Sequence, residues 1–301
     1  MEKEEVQEFF TNILKNDKEV SAGIAAIRTL LEFLEHDRAE TIQELADNLK
    51  VAIDVMTKTD YPTTAVVSGS ELFQRFITLA VLDNQTVAKS KQIMLHRGTL
   101  FFNKLMAARG KVAKEAADFI SDKSRILCHS RSRVVLETMK KAKASNVRFE
   151  VFVTSSFPDC SGEEMAKDLN EAGIPCTVIL DSAMGYVMEQ VDMVMVGAEG
   201  VAESGGIINK IGSYTMAICA KALNKPFYVL VESFKFARVY PLNQRDLPNK
   251  FKYKASMLDK DLSKEHPLVD YTPPAYITLL FTDLGTLTPS AVSDELIKLY
   301  L

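Results

Sequence analysis

The chain has 301 residues, 47% hydrophobic and 25% charged, which is the balance of a globular protein with room for one large domain or two ordinary ones. Its 36 basic and 40 acidic side chains leave a formal net charge of -4, which argues against non-specific nucleic-acid binding, because that runs on phosphate neutralisation. The opening MEKEEVQEFF carries acids where a secretory leader needs bases, no run approaches the roughly 18 apolar residues of a membrane span, and Cys128, Cys160, Cys176 and Cys219 form no C-x-x-C pair, so free thiols in a cytoplasmic (cytosolic) protein are expected.

The stretch to about residue 121 reads as helical. In Val20–His36, Ile24, Ile27, Leu30, Leu31 and Leu34 fall at three- and four-residue spacings on one face. Thr41-Ile42-Gln43-Glu44 matches a capping box and opens a second helix, with Leu45, Leu49, Ala52, Ile53 and Met56 on its buried side. Tyr61-Pro62 interrupts. A third helix is expected over Glu71–Leu82 and a long one from Val87 to about Ile120.

After Ser121 short runs rich in Val, Ile and Phe alternate with helical segments. Arg125–His129, Arg148–Thr154, Thr177–Asp181, Asp192–Val196 and Pro226–Val231 read as strands, and Tyr276–Thr282 as a further candidate. The helices between them are Arg133–Ala144, Gly162–Ala172, Ala183–Gln190 and Thr215–Leu223. Strands and helices alternating at this length imply right-handed crossovers and a mostly parallel sheet. Phe234–Pro274 lacks periodicity and reads as an excursion from the sheet. Thr288-Pro289 reads as the cap of a last helix ending near Tyr300. The expected architecture is α/β: an N-terminal helical domain over 1–121, then a Rossmann-like, mostly parallel α/β domain over 122–301.

Several chemistries are missing from the sequence. There is no G-x-G-x-x-G after a strand, no P-loop and no G-x-S-x-G elbow. His36, His96, His129 and His266 are far apart, so no metal site is expected. Two loops at carboxyl ends of strands stand out, where ligands of open α/β sheets bind. One is Cys128-His129-Ser130-Arg131-Ser132-Arg133. The other starts at Gly197-Ala198-Glu199-Gly200-Val201 and runs through Ser204-Gly205-Gly206-Ile207-Ile208-Asn209-Lys210-Ile211-Gly212-Ser213. Asn209 and Lys210 offer an amide and a cation suited to phosphate, and Ser213 is placed to cap the next helix. The same two side chains could equally serve to hydrogen-bond their own loop, and composition alone leaves both readings open.

Gly197-Ala-Glu-Gly, Asn209-Lys-Ile-Gly and Lys225-Pro-Phe-Tyr-Val resemble the family that joins the alpha, beta and delta subunits of translation initiation factor 2B to ribose-bisphosphate and methylthioribose-phosphate isomerases. Ala25–Leu34, Gly205–Gly212, Val231–Phe236 and the block from Thr282 to Leu301 resemble the alpha branch of that family, and the likeness covers essentially the whole chain. Carried over by position, the isomerases' catalytic cysteine falls on Ser130, beside the matching His129, and their catalytic aspartate on Glu199. The arginine of their R-P-T-A-V element is missing before Pro62-Thr63-Thr64-Ala65-Val66. Isomerisation needs groups that exchange protons near neutral pH, and a serine hydroxyl is far from that range unless a base activates it. The resemblance therefore implies a non-enzymatic regulatory subunit of the guanine nucleotide exchange factor for translation initiation factor 2, rather than an active sugar-phosphate isomerase.

It implies further expectations. No cofactor is expected, and Asn209 with Lys210 would contact the phosphate of a sugar phosphate or nucleoside monophosphate. The expected partners are a second copy of the chain, the beta, gamma, delta and epsilon subunits, and phosphorylated translation initiation factor 2. Arg38, Glu40, Thr41 and Glu44 are the candidate surface for that last contact, with Thr41 and Glu44 alternatively serving only as a helix cap. Phe234, Phe236, Val239, Tyr240 and Leu242 are candidates for a self-association patch, or for ordinary core.

Overall fold

Glu2 opens the first helix of the computed structural model, which describes residues 1–78 and 86–300. Two compact units are present. The first comprises Met1–Ala107, Asn249–His266 and the last residues from Lys298, and the second Ala108–Pro248 and Pro267–Ile297.

In the first unit, α1 (Lys3–Asn16) starts where the Glu2 N–H donates to Glu5 Oε2 at 2.8 Å, and it buries Val6, Phe10 and Ile13. In α2 (Ala22–His36) the Ser21 hydroxyl caps the Ile24 N–H. Ala25, Ala26, Ile27, Leu30 and Leu34 are fully buried there. Its small residues let α1, α3 and α4 pack closely around it. In α3 (Ile42–Thr57) Thr41 Oγ1 accepts from the Glu44 N–H at 3.1 Å. Glu44 reaches back as a capping box requires, but it takes the Glu40 N–H at 2.9 Å instead of the Thr41 N–H. Leu45, Leu49, Ala52 and Met56 are buried and Ile53 is half-buried, as the periodicity predicts.

Helix α4 (Thr63–Thr78) departs from expectation. It begins directly after Pro62, eight residues before the predicted start at Glu71. Thr63, Thr64, Ala65, Val66, Ser68, Gly69 and Ser70 are all buried, so polarity and periodicity give no signal for this turn-rich composition. The predicted end at Leu82 lies outside the described residues. α5 spans Val87–Ala117. The short α10 (Asn249–Lys252) and the residues after it belong to this unit, where Asp60 accepts from both the backbone N–H and the hydroxyl of Ser256 at 2.9 Å.

The second unit is built on β1 (Ser124–His129), β2 (Phe149–Thr154), β3 (Cys176–Ile179), β4 (Met193–Val196), β7 (Phe227–Leu230), β9 (Leu279–Thr282) and β10 (Gly285–Leu287). They form one sheet in the order β10-β9-β7-β4-β1-β2-β3, parallel except where β10 turns back on β9. The connecting helices are α6 (Arg133–Ala144), α7 (Ser161–Glu171), the short α8 (Met184–Met188) and α9 (Ser213–Ala222). Each parallel pair needs a crossover, and the central strands read as continuous apolar runs: Met193–Val196 is buried at every position. The last helix, α11, runs Val292–Tyr300. Thr288 lies ahead of a short turn, and its hydroxyl pairs with Ser290 Oγ at 3.0 Å instead of capping the helix.

A second sheet replaces what reads in sequence as plain loop. β5 (Gly200–Val201), β6 (Ile207–Lys210) and β8 (Val269–Thr272) pair antiparallel in the order β5-β6-β8. The strands are two to four residues long, and β8 lies some sixty residues after β6, so no local pattern announces the pairing. The proposed apolar patch divides. Phe234 and Phe236 are buried core, 1% and 0% exposed, whereas Tyr240 and Leu242 stand 65% and 75% exposed.

The outer part of the main sheet is closed by a ring stack. Phe281 on β9 packs edge-on against Phe119 at 4.6 Å between centroids and Tyr228 at 5.5 Å. Phe281→Ala should lower unfolding stability by about 3–5 kcal/mol in urea denaturation. A loss under about 1 kcal/mol would show that this stack does not hold β9 in place.

Candidate functional site

Strand order reverses at β1, with β2 and β3 on one side and β4 and β7 on the other. Loops leaving β1 and β4 therefore diverge over a crevice at the carboxyl ends, the position where open α/β sheets bind ligands. The two sequence-predicted loops sit there, together with the loop after β2.

His129 ends β1 and is 3% exposed. Its Nε2 lies 2.7 Å from the Ile211 carbonyl, so Nε2 carries the proton and donates. Nδ1 lies 2.6 Å from Thr154 Oγ1 at the end of β2. Burial holds the imidazole below its usual range, so the ring is neutral and Nδ1 accepts from the Thr154 hydroxyl. With both nitrogens committed, His129 is a structural strut and not a free base. Gly212, which follows Ile211, has φ +105°, and a Cβ there would meet His129 Cε1 at 2.9 Å, so only glycine fits.

The amide between Ile211 and Gly212 is held from both sides. Its carbonyl takes the His129 proton, and its N–H donates to Asp270 Oδ2 at 2.7 Å. Asp270, on β8, also accepts from the Tyr214 N–H, and so caps the start of α9. Asn209 lies opposite Asp270 in the β6–β8 register. The Asn209 amide donates to Ser213 Oγ at 2.8 Å, and that hydroxyl donates to the Lys210 carbonyl at 2.7 Å.

Ser130 sits in the left-handed region at φ +60°. Its Oγ lies 2.7 Å from Ser161 Oγ at the start of α7. The Ser161 hydroxyl donates to Asp159 Oδ1 at 2.9 Å, so its oxygen accepts from Ser130. The other Asp159 oxygen takes the Lys210 ammonium. Burial alone would raise the Asp159 carboxyl, but its bond to Lys210 and the charge of Lys210 hold it below its ordinary value. A carboxylate so stabilised is a poor base, and nothing here activates Ser130 as a nucleophile. At Gly162 an added Cβ would lie 1.7 Å from the Thr154 carbonyl, so the start of α7 can approach β2 only through glycine.

Glu199 follows β4, and burial raises its carboxyl while the charges of Lys210 and Lys235 oppose the rise. Lys235 donates to the Ala198 carbonyl at 3.0 Å and pairs with buried Glu232 at 2.8 Å. Ser130, Asn209 and Lys210 thus share one hydrogen-bonded network, with Glu199 in electrostatic reach of Lys210. Thr154, Asp159, Ser161 and Asp270 complete it, and the sequence singles out none of them as a site residue. The loop after β2 had a usable signal, because it too leaves the carboxyl end of a strand. Asp270 had none. Among the described residues no cluster of His, Cys, Asp and Glu could hold a metal ion, and no helix is long and apolar enough to cross a membrane.

The remaining candidates, Arg38, Glu40, Thr41 and Glu44, lie in the first unit around the start of α3, and all four are exposed. A cleft of about 660 Å³ adjoins them, lined in part by Phe33, Arg38, Glu44, Asn48 and Val55.

Residues 15–289 match the family described as Initiation factor 2 subunit family. The chain belongs to that family. It is 42% identical, over 100% of both chains, to a protein of Caenorhabditis elegans named translation initiation factor eIF2B subunit alpha. It is 29% identical, over 95% of this chain and 90% of the other, to a ribose 1,5-bisphosphate isomerase of Archaeoglobus fulgidus. Among solved structures, the translation initiation factor eIF-2B of Pyrococcus horikoshii OT3 superposes with a TM-score of 0.73 at 26% identity, covering 95% of this chain and 98% of that one. The chain is thus similar in sequence both to a named initiation-factor subunit and to a named sugar-phosphate isomerase, and in fold to the solved initiation factor.

Burial outweighs the two N–H donors at Asp270 and pushes its carboxyl from 3.8 up to about 7. Folding therefore favours the protonated form. The stability this contributes is full below the unfolded value near 3.8 and is lost as pH rises through about 7. Asp270→Asn should remove a slope of roughly one proton, about 1.4 kcal/mol per pH unit, from the window between those values. Denaturation midpoints of both proteins from mildly acidic to neutral pH check this, and parallel profiles would show that Asp270 does not titrate there.

Proposed function

We propose that this chain is a non-catalytic regulatory subunit of the guanine nucleotide exchange factor for translation initiation factor 2, acting in the cytosol. The observation that carries the reading is end-to-end identity of 42% with a named alpha subunit, against 29% with a named isomerase. The site chemistry supports it. His129 is locked as a neutral strut, Ser130 is bonded to another hydroxyl, and Glu199 stands where the isomerase pattern has aspartate. An extra methylene displaces a carboxylate by about 1 Å, enough to cost roughly a hundredfold in rate.

In this reading the chain pairs with a second copy of itself and joins the beta, gamma, delta and epsilon subunits. Exposed Tyr240 and Leu242 are available to such contacts, and Phe234 and Phe236 are not. The degenerate pocket keeps a phosphate-binding role through Asn209 and Lys210 for a sugar phosphate or nucleoside monophosphate. Pull-down of the native protein from cell extract, with partners identified and counted, should return the other four subunits. Purified protein should not turn over ribose 1,5-bisphosphate above background. Robust turnover, or a protein that co-purifies with no exchange-factor subunit, would overturn the reading.

The exposed surface of Arg38, Glu40, Thr41 and Glu44 is the proposed contact with phosphorylated translation initiation factor 2. Thr41 and Glu44 already serve the α3 cap, so Arg38 is the side chain that tests the surface alone. Arg38→Ala should weaken binding of the phosphorylated factor about tenfold, the worth of one charge-assisted hydrogen bond, with no change for the unphosphorylated form or in Tm. Equal affinity of wild type and variant for the phosphorylated factor would move the contact elsewhere on the helical unit.

A further inference from the structure

The loop after β2 runs Ser155-Ser156-Phe157-Pro158-Asp159-Cys160 into α7. It turns the Asp159 carboxylate back over the crevice. Oδ1 accepts from the Ser161 N–H at 3.2 Å and the Ser161 hydroxyl at 2.9 Å, and Oδ2 takes the Lys210 ammonium. Ser130 joins the same set through Ser161. An ammonium, a backbone N–H at a helix start and two serine hydroxyls are the donors that would grip a phosphate group. In this structure they grip the protein's own carboxylate.

We propose that Asp159 is an internal latch on this pocket, a self-ligand that occupies Lys210 and Ser161 in place of a phosphate and must be displaced when a phosphomonoester binds. The inference rests on the reading of Asn209 and Lys210 as a phosphate site, and adds how that site is regulated. Two observations decide which partner moves. The Asp159 side chain is 50% exposed, while that of Lys210 is 14% exposed. A half-solvated carboxylate turns into water with little loss, since an ion pair open to solvent is weak. Lys210 has no such freedom.

The backbone on either side of Asp159 is already held. The N–H groups of Ser156 and Phe157 donate to Asp181 at 3.1 and 2.9 Å, and the Cys160 N–H donates to the Ser156 carbonyl at 3.1 Å. Release is therefore a rotation of one side chain and not an opening of the loop. A phosphomonoester carries about -1.5 to -2 charges near neutral pH, against -1 for the carboxylate, so it outcompetes Asp159 for Lys210 and repels it once bound. The latch sets a threshold: ligand is taken up only when its concentration beats the tethered carboxylate.

Calorimetric titration of the full chain with ribose 1,5-bisphosphate and with inorganic phosphate tests this on wild type, Asp159→Asn, Asp159→Ser, Lys210→Ala and the double variant Asp159→Asn with Lys210→Ala. Both Asp159 replacements retain an oxygen for the Ser161 N–H, which guards the start of α7. Each should bind about tenfold more tightly than wild type, as expected for a latch closed roughly nine-tenths of the time. Lys210→Ala should abolish that gain in the double variant. If wild type binds through Lys210 and neither Asp159 variant binds more tightly, the latch is overturned and the pocket stands. If none of the five proteins binds either probe, both readings fall.

Discussion

Parallel pairing of β1 with β2 on one side and β4 on the other is the constraint on which the second unit depends. Parallel neighbours cannot be joined by tight turns, so the connections around β1, β2, β3 and β4 carry helices across the faces of the sheet, and the central strands lose contact with water on both sides. That demands the unbroken apolar runs seen in Ile126–Cys128 and Met193–Val196. It also leaves the strands' carboxyl ends without a hydrogen-bonded continuation. Because the winding changes direction at β1, the loops of β1 and β4 part there, and the polar residues excluded from the sheet collect in the gap.

What collects there is knit together by hydrogen bonds. The Ile211–Gly212 amide, pinned between neutral His129 and buried Asp270, fixes the start of α9 relative to the end of β1. Asn209 is tied to Ser213, Ser130 to Ser161, and Lys210 to Asp159. A catalytic site needs at least one group left poised to gain or lose a proton at the reacting atom. In this crevice His129 and Lys210 are tied to fixed partners, and Asp270, whose carboxyl is raised to about 7, is spent on the N–H groups of Gly212 and Tyr214.

The helical unit follows a different rule. α2, lined with alanine and leucine, is buried among α1, α3 and α4, and the polar residues around the start of α3 are left facing water. The apolar faces hold the unit together, and Arg38 and Glu40 lie outside its core, facing water.

Much of this was legible in the chain itself. Helices α2 and α3 were announced by three- and four-residue apolar spacing and by Thr41 and Glu44, and the alternation after Ser121 announced a parallel sheet, because these patterns are local and their periods are set by backbone geometry. The loops carrying Ser130, Glu199, Asn209 and Lys210 were found by the rule that ligands meet the carboxyl ends of strands. Tertiary structure alone decided the rest. The early start of α4 is invisible because Thr, Ser and Gly bury well without an apolar period. β5, β6 and β8 exist only by pairing across some sixty residues, and that pairing sets Asp270 against Gly212. Which donor Asp159 would hold was likewise undetermined, because a carboxylate's partner is fixed by where the fold brings a cation, and no spacing along the chain records that Lys210 lies within reach.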